Sequence, residues 1–364
     1  MSANKTFFHG SDIENVAVKY GLNQAEILNF ASNVNPLGIS QKALQAFNEL
    51  PQIMATYPDR DYTSLRQHLS SFLSVDKEFI TVGNGSTELI SLLIELKKPK
   101  NAVVIRPTYS EYERELALVG ASIIPYYLQE KDDFKLNVAD FMSFLPDTTE
   151  MVILCNPNNP TSSALLDSSL EEMIAGCKKR GIFLLIDETY MEFAPKEIKS
   201  ALPFVKAYDN FVVIRGISKF FSSPGLRFGY GITSNQLFLE HLKKFQNPWS
   251  LNHVAAFLGE KMLEDVDYIK ETKDLIEKER RHINDALVKI ANLKYYPSYG
   301  NFYLVKLEKP GITASDFFTL AIKESLMIRD CSLMAGLKGE FIRFGILLPT
   351  HNQKLLDLLS KTFS

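Results

Sequence analysis

Short, almost uninterrupted apolar runs recur through the middle of this 364-residue chain, and a stretch with a helical period separates each from the next. The runs are 79–82 (FITV), 102–106 (AVVIR), 122–127 (SIIPYY), 151–155 (MVILC), 182–187 (IFLLID), 211–215 (FVVIR) and 228–232 (FGYGI). The helical stretches are 61–74, 86–97, 110–119, 168–180 and 236–245. A strand that is apolar on both faces must be covered on both, which predicts an α/β fold with a mostly parallel sheet between helices. A long charged-apolar helical stretch follows at 266–293, then short strands near 302–306, 327–329 and 340–346, and a closing helix at 351–363. This predicts a smaller α+β unit. The expected organisation is an N-terminal arm over 1–30, with one short helix near 11–20, packing against a small C-terminal domain over 249–364. A large domain over 31–248 lies between, with Pro248 at the join.

Composition removes several roles. Net charge is −3, Lys243-Lys244 is an isolated pair, and Lys278, Arg280 and Arg281 sit among acids, so no nucleic-acid surface is expected. No apolar stretch reaches membrane-spanning length, and the first residues, MSANKTFFHG, are too short and polar for a signal peptide. The three cysteines, Cys155, Cys177 and Cys331, lack metal-ligand spacing, and an odd count without a framework fits a reducing cytoplasm.

The chemistry gathers where strands end. Lys219 follows the apolar run 211–215, and burial there disfavours its ammonium form. A neutral amine can form a Schiff base. Asp187 ends another buried strand, at the carboxyl edge where open α/β sheets bind ligands, and Tyr190 follows three residues later. Gly83-Asn-Gly85-Ser86-Thr87 opens a helix after a short strand, a place where backbone amides and hydroxyls bind phosphate; read alone, it is more often a simple N-capping turn. Asn156-Pro-Asn-Asn159-Pro-Thr161 is a rigid loop after a strand, and Asn159-Pro160 is a candidate cis bond. Tyr109 stands at a further strand end. Arg343, amid apolar neighbours, suits a carboxylate fork, and Arg329 has a similar setting. Either arginine could equally be a surface strand residue.

Together these residues resemble the fold-type I pyridoxal-phosphate enzymes, in the branch that contains histidinol-phosphate aminotransferase, and the similarity runs over nearly the whole chain. The resemblance implies pyridoxal 5′-phosphate as cofactor, linked to Lys219. It implies Asp187 on the ring nitrogen, Asn159 and Tyr190 on the ring oxygen, and Tyr109 stacked on the ring. Gly85, Ser86, Thr87, Ser218 and Arg227 would form the phosphate cup, and Arg343 would clamp the α-carboxylate of the substrate with Asn159 alongside. Tyr57 matches a tyrosine that reaches the cofactor phosphate of the other subunit, which implies a homodimer. His9-Gly10, Phe30-Ala-Ser-Asn33-Val-Asn-Pro-Leu-Gly38 and Gln246-Asn-Pro-Trp-Ser-Leu-Asn252 are similar to threonine-phosphate decarboxylases of cobalamin biosynthesis. That resemblance implies a phosphorylated amino-acid substrate held by His9, Gly10, Asn33 and Arg329. The implied reaction is decarboxylation of L-threonine O-3-phosphate, with serine phosphate a close second and histidinol-phosphate-type transamination the alternative. Gly216 and Ser162 depart from the pattern, standing where relatives carry Ser or Thr and Gly.

Overall fold

The chain, seen in a computed structural model, is described over residues 8 and 10–364; His9 lies outside the described residues. Its strands are β1 (Leu28–Asn29), β2 (Ile80–Gly83), β3 (Asn101–Arg106), β4 (Ser122–Tyr127), β5 (Met151–Cys155), β6 (Phe183–Asp187), β7 (Phe211–Gly216), β8 (Gly229–Ile232), β9 (Leu293–Tyr295), β10 (Phe302–Leu307), β11 (Leu326–Met327), β12 (Arg329–Asp330) and β13 (Phe341–Gly345). The larger, 7-stranded sheet has the order β2-β8-β7-β6-β5-β3-β4. Within it only β8 runs against the others. Alternate residues of each central strand enter opposite cores. Val152, Leu154, Leu184, Ile186 and Val213 pack on one face, while Met151, Ile153, Leu185, Val212 and Ile214 pack on the other. That double burial is why these runs are apolar without alternation. β4 pairs with β3 alone, and as an edge strand it tolerates Pro125.

The parallel strands deliver their carboxyl ends to one edge of the sheet. Cys155 is in register with Asp187, and Asp187 with Ile214, one turn of chain before Lys219. A second sheet, β12-β13-β10-β9, is antiparallel and sets Arg329 directly opposite Arg343. β1 pairs with β11, so the chain reaches residue 30 already attached to this second unit. The segment after β1 is then fastened from both sides. Gly345 N donates to Phe30 O at 2.7 Å and Asn301 Nδ2 to Asn33 O at 3.0 Å. From the other side, Asn35 N donates to Lys219 O at 3.0 Å, and the Asn35 amide reaches Phe220 O, Tyr268 and Thr272.

The helix expected over 266–293 ends at Leu287, because Leu293 pairs with Leu307 and opens β9. The strand expected at 327–329 divides at Ile328, since β11 pairs with β1 and β12 with β13. Lys219 sits in a short helix, Ile217–Phe220, that follows β7 directly. Helices at Val138–Phe144, His253–Leu263 and Ala314–Lys323 had no counterpart in the sequence reading. The last is signalled by a capping box, Thr313 with Asp316. His253–Leu263 packs against the helix Thr63–Leu73, on the far side of Pro248. Among the described residues no helix is long and apolar enough to cross a membrane.

Candidate active site

A cavity of about 230 Å³ opens at the carboxyl edge of the larger sheet. Its lining joins residues far apart in the chain: Ser86, Thr87, Tyr109, Asn159, Asp187, Tyr190, Ser218, Lys219, Arg227 and Arg343. The structure therefore brings together the cofactor-site candidates other than Tyr57 and Gly85; Gly85 is not in the lining but packs directly against Arg227, which is. Tyr57 is not there. It lies 79% exposed, against Trp249 with ring centroids 4.9 Å apart.

Lys219 Nζ donates to Ser32 O at 3.0 Å. Burial, then the nearby charges of Arg343 and Arg227, lower its pKa to about 8. No acid offsets these effects, so a usable fraction of the amine is neutral near physiological pH. Asp187 is 5% exposed. Burial pushes its carboxyl up, and hydrogen bonds from Thr189 and Tyr112 pull the other way. Thr189 N and Oγ1 donate to Oδ1 at 2.9 and 2.5 Å, and Tyr112 Oη donates to Oδ2 at 2.6 Å. Burial raises the Tyr190 phenol to about 12, so it remains a hydrogen-bond donor across the useful pH range. The strand ends that carry Asp187 and Lys219 share a buried anchor. Arg215 holds Glu188 at 2.7 Å and Glu192 at 3.0 Å.

The phosphate end is shaped by what glycine leaves out. Gly85 has φ +85°, and a Cβ on it would lie 2.3 Å from Arg227 Nη2. A Cβ on Gly229 would lie 2.3 Å from Ser86 N. The two glycines thus let Arg227 and β8 approach the first turn of the helix Ser86–Lys97, where Ser86, Thr87, Ser218 and Arg227 line one end of the cavity. This is a cradle for a phosphate. Together with a low-pKa amine and a buried carboxylate, it fits pyridoxal phosphate. Gly216 leaves a hydroxyl out of the cradle; a Cβ there would meet Phe228 O at 3.1 Å and Ser86 Cβ at 3.9 Å.

At the other end Arg343 is 6% exposed. It donates to Asn159 Oδ1 at 2.5 Å and Ala31 O at 2.6 Å. Its Nε has no partner, and among the described residues no carboxylate lies within ion-pair distance. Arg329, across the strand pair, donates to Phe8 O and borders a separate cavity of about 340 Å³ with Thr108 and Asp330. Asn33 is 2% exposed with φ +51°, lies near the Tyr190 hydroxyl, and neither of its amide atoms has a well-aligned hydrogen-bond partner. Gly10 lies against Ala31 and Ser32; a Cβ on it would be 2.5 Å from Ala31 O. Asn159-Pro160 is cis.

Three residues of the site escaped the sequence reading. Ser32 contributes only its carbonyl, which no pattern reveals. Thr189 was hidden between two flagged neighbours. Tyr112 stands in the first turn of the helix Glu111–Leu118, just after Tyr109, and the two rings meet at the cavity.

Comparison with known proteins shows the family. The chain is 32% identical over 351 residues to threonine-phosphate decarboxylase of Salmonella typhimurium, covering 96% of this chain and 95% of that one. It is 30% identical to an adenosylcobalamin biosynthesis bifunctional protein of Leptospira interrogans, over 98% of this chain and 41% of the relative. Among solved structures it is similar to histidinol-phosphate aminotransferase from Clostridium acetobutylicum, with a TM-score of 0.85, 32% identity, and coverage of 92% of this chain and 98% of that one. The family model for aminotransferase class I and II matches residues 25–360, and the chain belongs to that family.

Proposed function

We propose that this chain removes the α-carboxyl group of L-threonine O-3-phosphate as carbon dioxide. Pyridoxal 5′-phosphate is the cofactor, and the product is (R)-1-amino-2-propanol O-2-phosphate for the cobalamin nucleotide loop. The observation that carries the reading is Arg343, a buried guanidinium that lines the cavity with Lys219, has no hydrogen-bond partner at Nε and has no acidic partner among the described residues. A buried cation of this kind calls for an anion from the ligand. Arg329 stands opposite it in register and supplies a second cation for a second anionic group. The buried amide of Asn33, beside the Tyr190 hydroxyl and without a well-aligned hydrogen bond, adds a neutral donor and acceptor. A substrate with both a carboxylate and a phosphate complements this set.

Each residue then has a physical task. Bound pyridoxal phosphate supplies a π system that accepts the electron pair of the bond broken at Cα. Lys219 Nζ would hold the cofactor and would be the candidate group to move a proton at Cα. Asp187 would keep a proton on the ring nitrogen, and Tyr190 and Asn159 would hydrogen-bond the ring oxygen. Arg343 fixes the carboxylate, while Arg329, Asn33, Gly10 and His9 hold the phosphate. Two fixed ends determine which Cα bond stands perpendicular to the ring, and so which bond breaks. We further propose a homodimer, in which the exposed Tyr57 completes the neighbouring phosphate cup, and a reducing cytoplasmic setting for the three free cysteines.

The likeness to histidinol-phosphate aminotransferase supports a second reading, in which Cα–H occupies the reactive position. A panel of threonine phosphate, serine phosphate and histidinol phosphate separates the two. Steady carbon dioxide release from threonine phosphate without any keto acid is the expected result. Transamination of histidinol phosphate with no gas from threonine phosphate would refute it.

A further inference from the structure

Tyr112 belongs to no motif that drew attention in the sequence, yet it touches two residues of the cofactor pocket at once. It is 1% exposed on the helix Glu111–Leu118. Its hydroxyl donates to Asp187 Oδ2 at 2.6 Å, and its ring meets Tyr109 edge-on, with centroids 5.5 Å apart at 85°. The other Asp187 oxygen is occupied by Thr189. The carboxylate is thereby held at both ends and its plane is fixed.

We propose that Tyr112 is a positioning residue for the cofactor ring: its hydroxyl orients Asp187 and holds it ionised, while its ring sets the tilt of Tyr109. A donor on a buried carboxylate stabilises the charged form. Removing it makes Asp187 a stronger proton acceptor and draws the shared proton off the ring nitrogen. Less positive charge on the ring then raises the pH at which the Lys219–cofactor linkage loses its own proton. The groups that face this pair are Cys155 from β5, Tyr190 from the turn after β6, Lys219 from the helix Ile217–Phe220, Tyr109 and Arg227. Tyr112→Phe leaves every one of them in place. The inference rests on the cofactor reading above, but not on which Cα bond is broken.

The test is a spectroscopic titration of the protein loaded with pyridoxal phosphate, together with its dissociation constant for the cofactor. Tyr112→Phe keeps the ring contact to Tyr109 and loses the hydroxyl. The expected result is about tenfold weaker cofactor binding and a visible-band titration moved to higher pH. In 3-fluorotyrosine at position 112 the hydroxyl is more acidic and donates more strongly, so the band should move to lower pH. This second variant preserves the shape of the side chain should the first fail to fold. An unmoved titration in the variants that fold would overturn the proposal. So would a loss of unfolding stability equal in the cofactor-free and loaded forms, which marks a merely structural residue. Wild-type protein that binds the cofactor but releases no carbon dioxide would refute the proposed reaction and leave both readouts for Tyr112 in force.

Discussion

Replacing Arg343 by methionine should damage activity severely and stability hardly at all. The guanidinium donates two hydrogen bonds, to Asn159 Oδ1 and Ala31 O. Hydrogen bonds to charged groups contribute about 1.5–3 kcal/mol each, so truncation forfeits about 3–6 kcal/mol. Against that stands the desolvation of a buried cation with no acidic partner, which costs several kcal/mol that methionine does not incur. Methionine also keeps most of the buried stem volume. The opposing effects nearly cancel, and the cofactor-free variant should unfold within about 1–2 kcal/mol of the parent in urea. The substrate carboxylate, however, loses a bidentate charged partner worth about 3–4 kcal/mol, or a 10²–10³-fold fall in kcat/KM. The assay pairs urea unfolding of the cofactor-free protein with carbon dioxide release from threonine phosphate. A stability loss above about 3 kcal/mol with kcat/KM changed less than tenfold would show that Arg343 is a strut and refute the reasoning.

Lys219, with a pKa of about 8 in the folded chain, has an ordinary value near 10.4 when unfolded. Between these values the unfolded chain binds the proton that the folded chain has lost, so the cofactor-free protein should gain stability as pH rises through that window. Lys219→Met should abolish that gain, and an unchanged slope would contradict the shift. Gly85→Ala places a Cβ 2.3 Å from Arg227 Nη2 at φ +85°; cofactor affinity should fall at least about tenfold, and an unaltered dissociation constant would remove Gly85 from the cradle. Ser162 adopts φ +57°, accepts from Gly300 N at 2.8 Å and lies 3.2 Å from Ser298 Oγ. Ser162→Gly relieves the backbone but loses those bonds, for a net destabilisation of about 1 kcal/mol by urea unfolding; a more stable variant would show that the hydroxyl does little.

What the sequence revealed follows from where burial leaves a mark. The central strands were legible because both faces are covered, which leaves unbroken apolar runs such as 151–155 and 211–215. Asp187 and Lys219 were legible because a charged residue at the end of such a run, or just beyond it, stands out. The end of the helix at Leu287 was not, because it depends on Leu293 finding Leu307 across a sheet. The division at Ile328 likewise depends on two different partner strands. Asn35 stands in a stretch that the sequence singles out by resemblance, whereas it fastens that stretch to the backbone at Lys219 and Phe220 and to the helix Val266–Leu287. Tyr112 carried no signal in the sequence, and only the fold shows its hydroxyl aimed at Asp187.

The central claim is that Lys219 carries the cofactor through its side-chain nitrogen. Borohydride reduction of the protein loaded with pyridoxal phosphate, followed by peptide mass mapping, tests it most directly. The account predicts one phosphopyridoxyl group, on the peptide that contains Lys219. A label on another lysine, or none, would contradict it.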